Sequence, residues 1–214
     1  MQNLPEITDR DRAILDSLVR RIRVLSVGQV ARTWFEATRD PGRFATRRLR
    51  LLEQAGLIER YEELVRPELS FKTPLASWKP GRTEPAFSRL ATQLASRWQQ
   101  PVRRTPVLIA TKAAGTKLGG HGGRRPRRSE VSHDLSLAGL FLHLLETEPD
   151  VAATWTSEAG LRRLGFGAKT KLPDALVHRE SRPTVIELGG IYAASKLQEF
   201  HGFCQTHGLA YEIW

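Results

Sequence analysis

The chain has one cysteine, Cys204, and one methionine, and only 7% of its 214 residues are aromatic. A lone thiol forms no intrachain disulfide and cannot build a cysteine zinc site; it fits a reducing, cytoplasmic setting. No apolar run approaches the roughly 20 residues that a membrane-spanning helix needs. The opening MQNLPEITDRDR has no apolar export segment, so neither a membrane partner nor export is expected. Acidic residues are scarce only in places. Residues 1–66 hold 13 Lys/Arg against 10 Asp/Glu and residues 67–128 hold 13 against 2, while residues 129–214 hold 7 against 11. A net charge of +10 suggests a polyanionic partner, most often nucleic acid. The acidic C-terminal third is odd for a protein that only coats DNA and natural for one whose acids hold cations.

Three helices are predicted first. Thr8 is placed to cap one, with Asp9 and Asp11 in its first turn, where the helix dipole favours acids. Ile14, Leu15, Leu18 and Val19 follow at helical spacing. Ser26-Val-Gly-Gln29 is a capping box that opens a second helix, with Val27, Val30, Ala31 and Trp34 on its apolar face. The third helix, RFATRRLRLLEQA, closes at Gly56. Leu57 to Val65 has strand character, and SFKTPLASW (70–78) is its expected partner. Helix, helix, helix and hairpin is the order of a winged helix-turn-helix, expected over residues 1–80.

On the third helix Ala45, Leu49 and Leu52 share an inward face, while Arg43, Arg47, Arg50 and Gln54 line another, with Arg48 beside them. Such a stripe suits phosphate and guanine-edge contacts in a major groove of double-stranded DNA. The plainer reading is a solvated basic face.

Residues 81–128 are expected to be a basic connecting region. PAFSRLATQLASRW sets Phe87, Leu90, Leu94 and Trp98 at helical spacing, and Val107 to Ala110 is a short apolar strand followed by a small helix. GGHGGRRPRRSE then holds Arg124, Arg125, Arg127 and Arg128 among glycines and a proline, which forbid a regular element. It reads as a flexible linker, as a mobile arm that grips phosphates, or as both. His121 in that run is expected to face solvent.

From residue 129 the pattern is regular. SHDLSLAGLFLHLLETE is an apolar helix; VAATWTSE, LPDALVHR and PTVIELGG are expected strands, the last two a hairpin; AASKLQEFHGFCQTHG is a helix and LAYEIW a final strand. Trp98, Trp155 and Trp214 read as core, and Tyr192 and His201 as packing or surface residues. The order α-β-β-β-α-β resembles the core of the PD-(D/E)XK nuclease superfamily. Pro173-Asp174 stands where that superfamily has its Pro-Asp, and Glu187 where it has the acid of (D/E)-X-K. Glu158, Glu130 and Asp134 stand near positions of further acids.

The resemblance implies that Asp174 and Glu187, with Glu158, hold Mg²⁺ or Mn²⁺. A hard cation of this kind takes oxygen ligands, lowers the pKa of a bound water and neutralises charge on a phosphodiester. Gly189 occupies the position of the superfamily's lysine. Lys196, in the first turns of the next helix, is the expected substitute, with Lys169 and Lys171 weaker alternatives.

Taken with ITDRDRAILDSLVRRIRVLSVGQVARTWF and RRLRLLEQAGLIERY, this region resembles the replication-relaxation family of bacterial plasmids and mobile elements. That implies a role in replication control or mobilisation, at the nucleoid or on a plasmid. Two functions stay open: a metal-dependent DNA endonuclease, and a catalytically silent DNA-binding regulator whose nuclease-like domain (129–214) serves dimerisation or partner docking. An RNA-binding or general interaction module fits the arginine stripe less well. A winged helix commonly acts as a dimer on a palindrome, although no heptad repeat marks a homodimer here.

Overall fold

The computed structural model describes residues 6–167, 172–180 and 182–214; Lys169 and Lys171 lie outside them. The fold is mixed α and β, and the chain divides into two compact units, each made of two stretches. One holds residues 1–65 and 102–142, the other 66–101 and 143–214. The linear division at residues 80 and 128 therefore does not describe it. Residues 66–101 join the second unit, and 102–128, expected as a connector, belong to the first.

In the first unit α1 (Asp9–Asp16) opens with Thr8 and Asp11 in a reciprocal capping box, and it runs on as a π-helical turn (Ser17–Arg21). A two-residue strand, β1 (Leu25–Ser26), leads into α2 (Val27–Trp34), opened by the expected Ser26–Gln29 box. Gln29 is fully buried, and its amide nitrogen donates to the carbonyl of Leu135 at 2.8 Å. α3 (Pro41–Gln54) starts with Pro41 in its first turn and Asp40 as cap. It ends at Gly56, whose φ of 69° is the left-handed conformation that closes a helix at no steric cost.

β2 (Ile58–Val65) does not pair with residues 70–78. Its partner is β4 (Arg103–Ala110), antiparallel from Ile58 opposite Ala110 to Val65 opposite Arg103, and β1 pairs the other edge of β4. The reason is apolar content. Val107, Leu108, Ile109 and Ala110 are all buried, and Val107 and Ile109 share a core with Val24, Val65, Val131 and Leu135; SFKTPLASW, interrupted by Lys72 and Pro74, has no such continuous apolar run. α5 (Lys112–Lys117) follows, and then α6 (Val131–Thr147), whose first twelve residues belong to this unit.

The second unit is built on a five-stranded sheet. Its strands are β3 (Ala76–Trp78), β5 (Thr156–Ser157), β6 (Ala175–Arg179), β7 (Arg182–Glu187) and β8 (Ala210–Ile213), in the order β3-β8-β7-β6-β5. β5, β6 and β7 form an antiparallel meander. The β6–β7 turn includes Glu180 in the left-handed region, φ 49°. α9 (Ala194–Thr206) then crosses to β8, which runs parallel to β7.

VAATWTSE is mostly not a strand. Pro149 and Asp150 start a short helix instead, α7 (Pro149–Ala153), and only Thr156–Ser157 pair with β6 before α8 (Glu158–Arg163) begins. The cause is local: proline fixes a helical φ at the first position, and an acid there suits the dipole. α4 (Phe87–Ser96) and α9 enclose a core that includes Phe87, Leu90, Leu94, Val185, Leu197, Cys204 and Tyr211. Trp78, from the segment expected beside β2, stacks on Tyr211 at 5.6 Å between ring centroids and is almost fully buried. Trp98, Trp155 and Trp214 are buried, as core residues should be.

Candidate functional site

In the second unit, Ala175 at the start of β6 pairs with Ile186 near the end of β7, and Asp174 and Glu187 are the residues next to that pair at the same end of the hairpin. The two carboxylates differ in setting. Asp174, half-buried, accepts the backbone N–H of Leu188 at 2.8 Å through Oδ2. Glu187 is only 4% exposed, and its Oε1 accepts the phenolic O–H of Tyr192 at 3.0 Å. Burial pushes the pKa of the Tyr192 phenol well up, and the charges of Glu187 and Asp174 push it further. A phenolate beside two carboxylates is unfavourable, so Tyr192 stays a donor.

Lys196 lies one turn into α9, with its Nζ 3.5 Å from the centroid of the Tyr192 ring. An ammonium at that distance is held by the ring's negative face. Glu187, Tyr192 and Lys196 line one cavity of about 280 Å³, whose remaining walls include Pro173, Val185, Leu197 and Phe200. The expected acid and the expected replacement lysine therefore face the same space, joined through an aromatic ring. Tyr192, expected as a packing or surface residue, is the link between them. In the sequence it stands between Glu187 and Lys196.

The third acid does not join them. Among the described residues no group of three or more His, Cys, Asp or Glu is gathered as a metal site. Glu158 begins α8, and its carboxylate accepts from Arg162 one turn on at 2.7 Å. Its backbone N–H meets the carbonyl of Asp174 at 3.1 Å, so it is tied to the site by main chain. Glu130 and Asp134 belong to the first unit, where Arg23 bridges them at 3.5 and 2.9 Å.

Gly189 also has a packing explanation. A Cβ there would collide with the side chain of Leu94 on α4. Trp98 Nε1 donates to the Gly189 carbonyl at 2.9 Å and the Gly189 N–H donates to the Trp214 carbonyl at 3.0 Å. The position that bears lysine in the resembled motif is filled by α4, an element no strand motif announces.

In the first unit Ala45, Leu49 and Leu52 of α3 are fully buried, while Arg43, Arg47, Arg50 and Gln54 are exposed along its outer flank. Arg48 is turned inward and pairs with the fully buried Asp11. Burial alone would raise the Asp11 pKa; hydrogen bonds from Arg48 and Thr8 outweigh it and hold the carboxyl below its ordinary value. Arg48 is thereby spent on the fold, not offered to a ligand.

The segment expected as a flexible arm is pinned. His121 N–H donates to Val19 O at 2.6 Å and Gly123 N–H to Ala110 O at 2.8 Å, and Pro126 is buried. A Cβ at Gly120 or Gly122 would strike the backbone of Val19 or Thr111, so these glycines serve close approach. Arg125 pairs with Glu59 and lies over the Tyr61 ring, while Arg124 and Arg127 come within 3.8 and 3.9 Å of Glu130. Arg128 is exposed.

Comparison with protein-family models, with curated proteins and with solved structures finds no match. Among the described residues no helix is long and apolar enough to cross a membrane.

Proposed function

We propose that this chain binds double-stranded DNA through a winged helix-turn-helix in which α3 is the recognition helix. The observation that carries this is the exposed row Arg43, Arg47, Arg50 and Gln54 opposite a fully buried apolar face. A helix of this kind enters a major groove with guanidinium groups free to meet phosphates and base edges. The three-helix order followed by the β2–β4 ladder supports the reading. The resemblance to replication-relaxation proteins makes replication control or mobilisation of a plasmid or mobile element the setting, in a nucleoid-associated, cytoplasmic protein. The test is titration of a duplex with the purified chain at several salt concentrations. A linear fall of log affinity with log salt is expected; binding that ignores salt overturns the reading.

A second reading concerns the other unit. The meander of β5 to β7, the crossing α9 and the parallel β8 support a PD-(D/E)XK-like core. Asp174 and Glu187 are hard oxygen donors that both act on Tyr192, and two carboxylates with waters satisfy Mg²⁺ or Mn²⁺. When bound, such an ion would activate water and neutralise phosphodiester charge. Lys196, held over Tyr192, would add positive charge beside the scissile phosphate. Metal-dependent nicking of supercoiled DNA, lost in EDTA and in Asp174→Ala and Glu187→Ala, is expected. DNA binding without cleavage in either metal makes the domain a silent one, serving dimerisation or partner docking.

A further inference from the structure

Phe44 stands on α3 with its side chain in solvent. It is 46% exposed and, among the described residues, the one large hydrophobic of this helix counted as exposed. It lies beside Arg43 and one turn before Arg47, at the rim of the arginine row. Asp40 occupies the end of the helix, its Oδ1 accepting the N–H of Arg43 at 3.1 Å. A carboxylate there repels phosphate, so the flank of α3 and not its tip is the surface offered to DNA. On that flank the arginines supply charge and hydrogen bonds, and Phe44 supplies an apolar surface that neither phosphate nor sugar uses well.

The major groove presents one apolar group on a base edge, the 5-methyl of thymine, and an aromatic side chain is among its natural partners. We infer that Phe44 is a specificity-determining residue that packs on a thymine methyl while Arg43 and Arg47 hold the flanking backbone or guanine edges. This rests on the DNA-binding reading of α3 and goes beyond it by naming the base feature read. Thymine-bearing steps next to arginine-contacted positions should therefore recur in the preferred site.

The experiment uses the full chain. Duplexes are recovered from a random 20-base-pair library, one recovered sequence is synthesised, and each thymine is replaced in turn by deoxyuridine, which removes only the methyl. Fluorescence anisotropy should show the wild type losing about fourfold in affinity at one or two adjacent thymines, the worth of one buried methyl. Phe44→Ala should bind the thymine and uracil duplexes alike, near the wild-type affinity for uracil, and Phe44→Leu should keep part of the discrimination. Circular dichroism verifies that both variants are folded, as an exposed position allows.

Equal wild-type affinity at every thymine, or discrimination that survives in Phe44→Ala, overturns the inference while leaving DNA binding intact. Failure to recover any duplex overturns both. A change in the oligomeric mass of the free protein in Phe44→Ala, with discrimination unchanged, assigns Phe44 to a contact between copies and also overturns it.

Discussion

Two short stretches carry four arginines each: α3, with Arg43, Arg47, Arg48 and Arg50, and the glycine-rich segment, with Arg124, Arg125, Arg127 and Arg128. In composition they look equally suited to DNA. In the structure they differ. Helical spacing sends Arg43, Arg47 and Arg50 outward together and turns Arg48 onto Asp11. The glycine-rich stretch lies against its own unit, and three of its arginines are drawn to Glu59 and Glu130. A periodic element presents charge as a surface. An irregular one distributes it wherever the backbone happens to lead, and nearby carboxylates take it up.

The sharpest way to break this comparison is Arg48→Ala. Removing the guanidinium leaves the Asp11 carboxylate buried, which costs about 3–5 kcal/mol, read as a large fall in melting temperature with little change in DNA contact. The Asp11 pKa is lowered in the folded state, so its stabilising contribution is present above the ordinary carboxylate range and is lost as pH falls through the folded value. With Arg48 gone, burial raises the Asp11 pKa of the folded variant, so the stability gap between wild type and variant should shrink as pH falls toward and through the ordinary carboxylate range, near pH 4. A gap that stays constant from neutral pH into that range means the pair is not the source of stability.

Gly122→Ala comes next. The added methyl strikes the Thr111 carbonyl and should cost about 1–3 kcal/mol in denaturant unfolding; a neutral outcome means the segment is a loose arm after all. Smaller still is Arg47→Ala with Arg50→Ala. We expect stability unchanged, DNA affinity down about tenfold and a salt slope shallower by about 2. The same pair of changes at Arg124 and Arg127 should lower the slope much less, because their charge is shared with Glu130. Equal slopes for the two pairs would erase the distinction between the stretches. The smallest effect is Arg125→Ala. Its exposed pair with Glu59 is worth at most about 1 kcal/mol, and chemical denaturation should register a minor loss.

The helices of the first unit were legible because their signals are local. The cap at Thr8, the capping box at Ser26, Gly56 at the end of α3 and the period of Ala45, Leu49 and Leu52 involve residues within one or two turns. Strand pairing was not. β2 finds its partner nearly forty residues on, and SFKTPLASW belongs to the other sheet, because buried apolar area and not proximity in sequence chooses a partner. The candidate site divides in the same way. Asp174 and Glu187 stood out as acids in apolar runs, and the hairpin that brings them to one end was expected. That Tyr192 joins Glu187 to Lys196 was not, since side-chain contacts across a loop and a helix leave no periodic trace.

By itself the sequence determined the first three helices, the outward row of arginines on α3 and the place of Asp174 and Glu187 at the ends of two hairpin strands, because spacing along a regular element dictates which way a side chain points. Only the tertiary structure decided what those residues meet. It sent Arg48 to Asp11, packed the glycine-rich segment against Val19 and Thr111, and filled the space above Gly189 with Leu94. The physical reason is that burial and close packing are set by residues distant in the chain, and their cost or gain exists only once those residues are in contact.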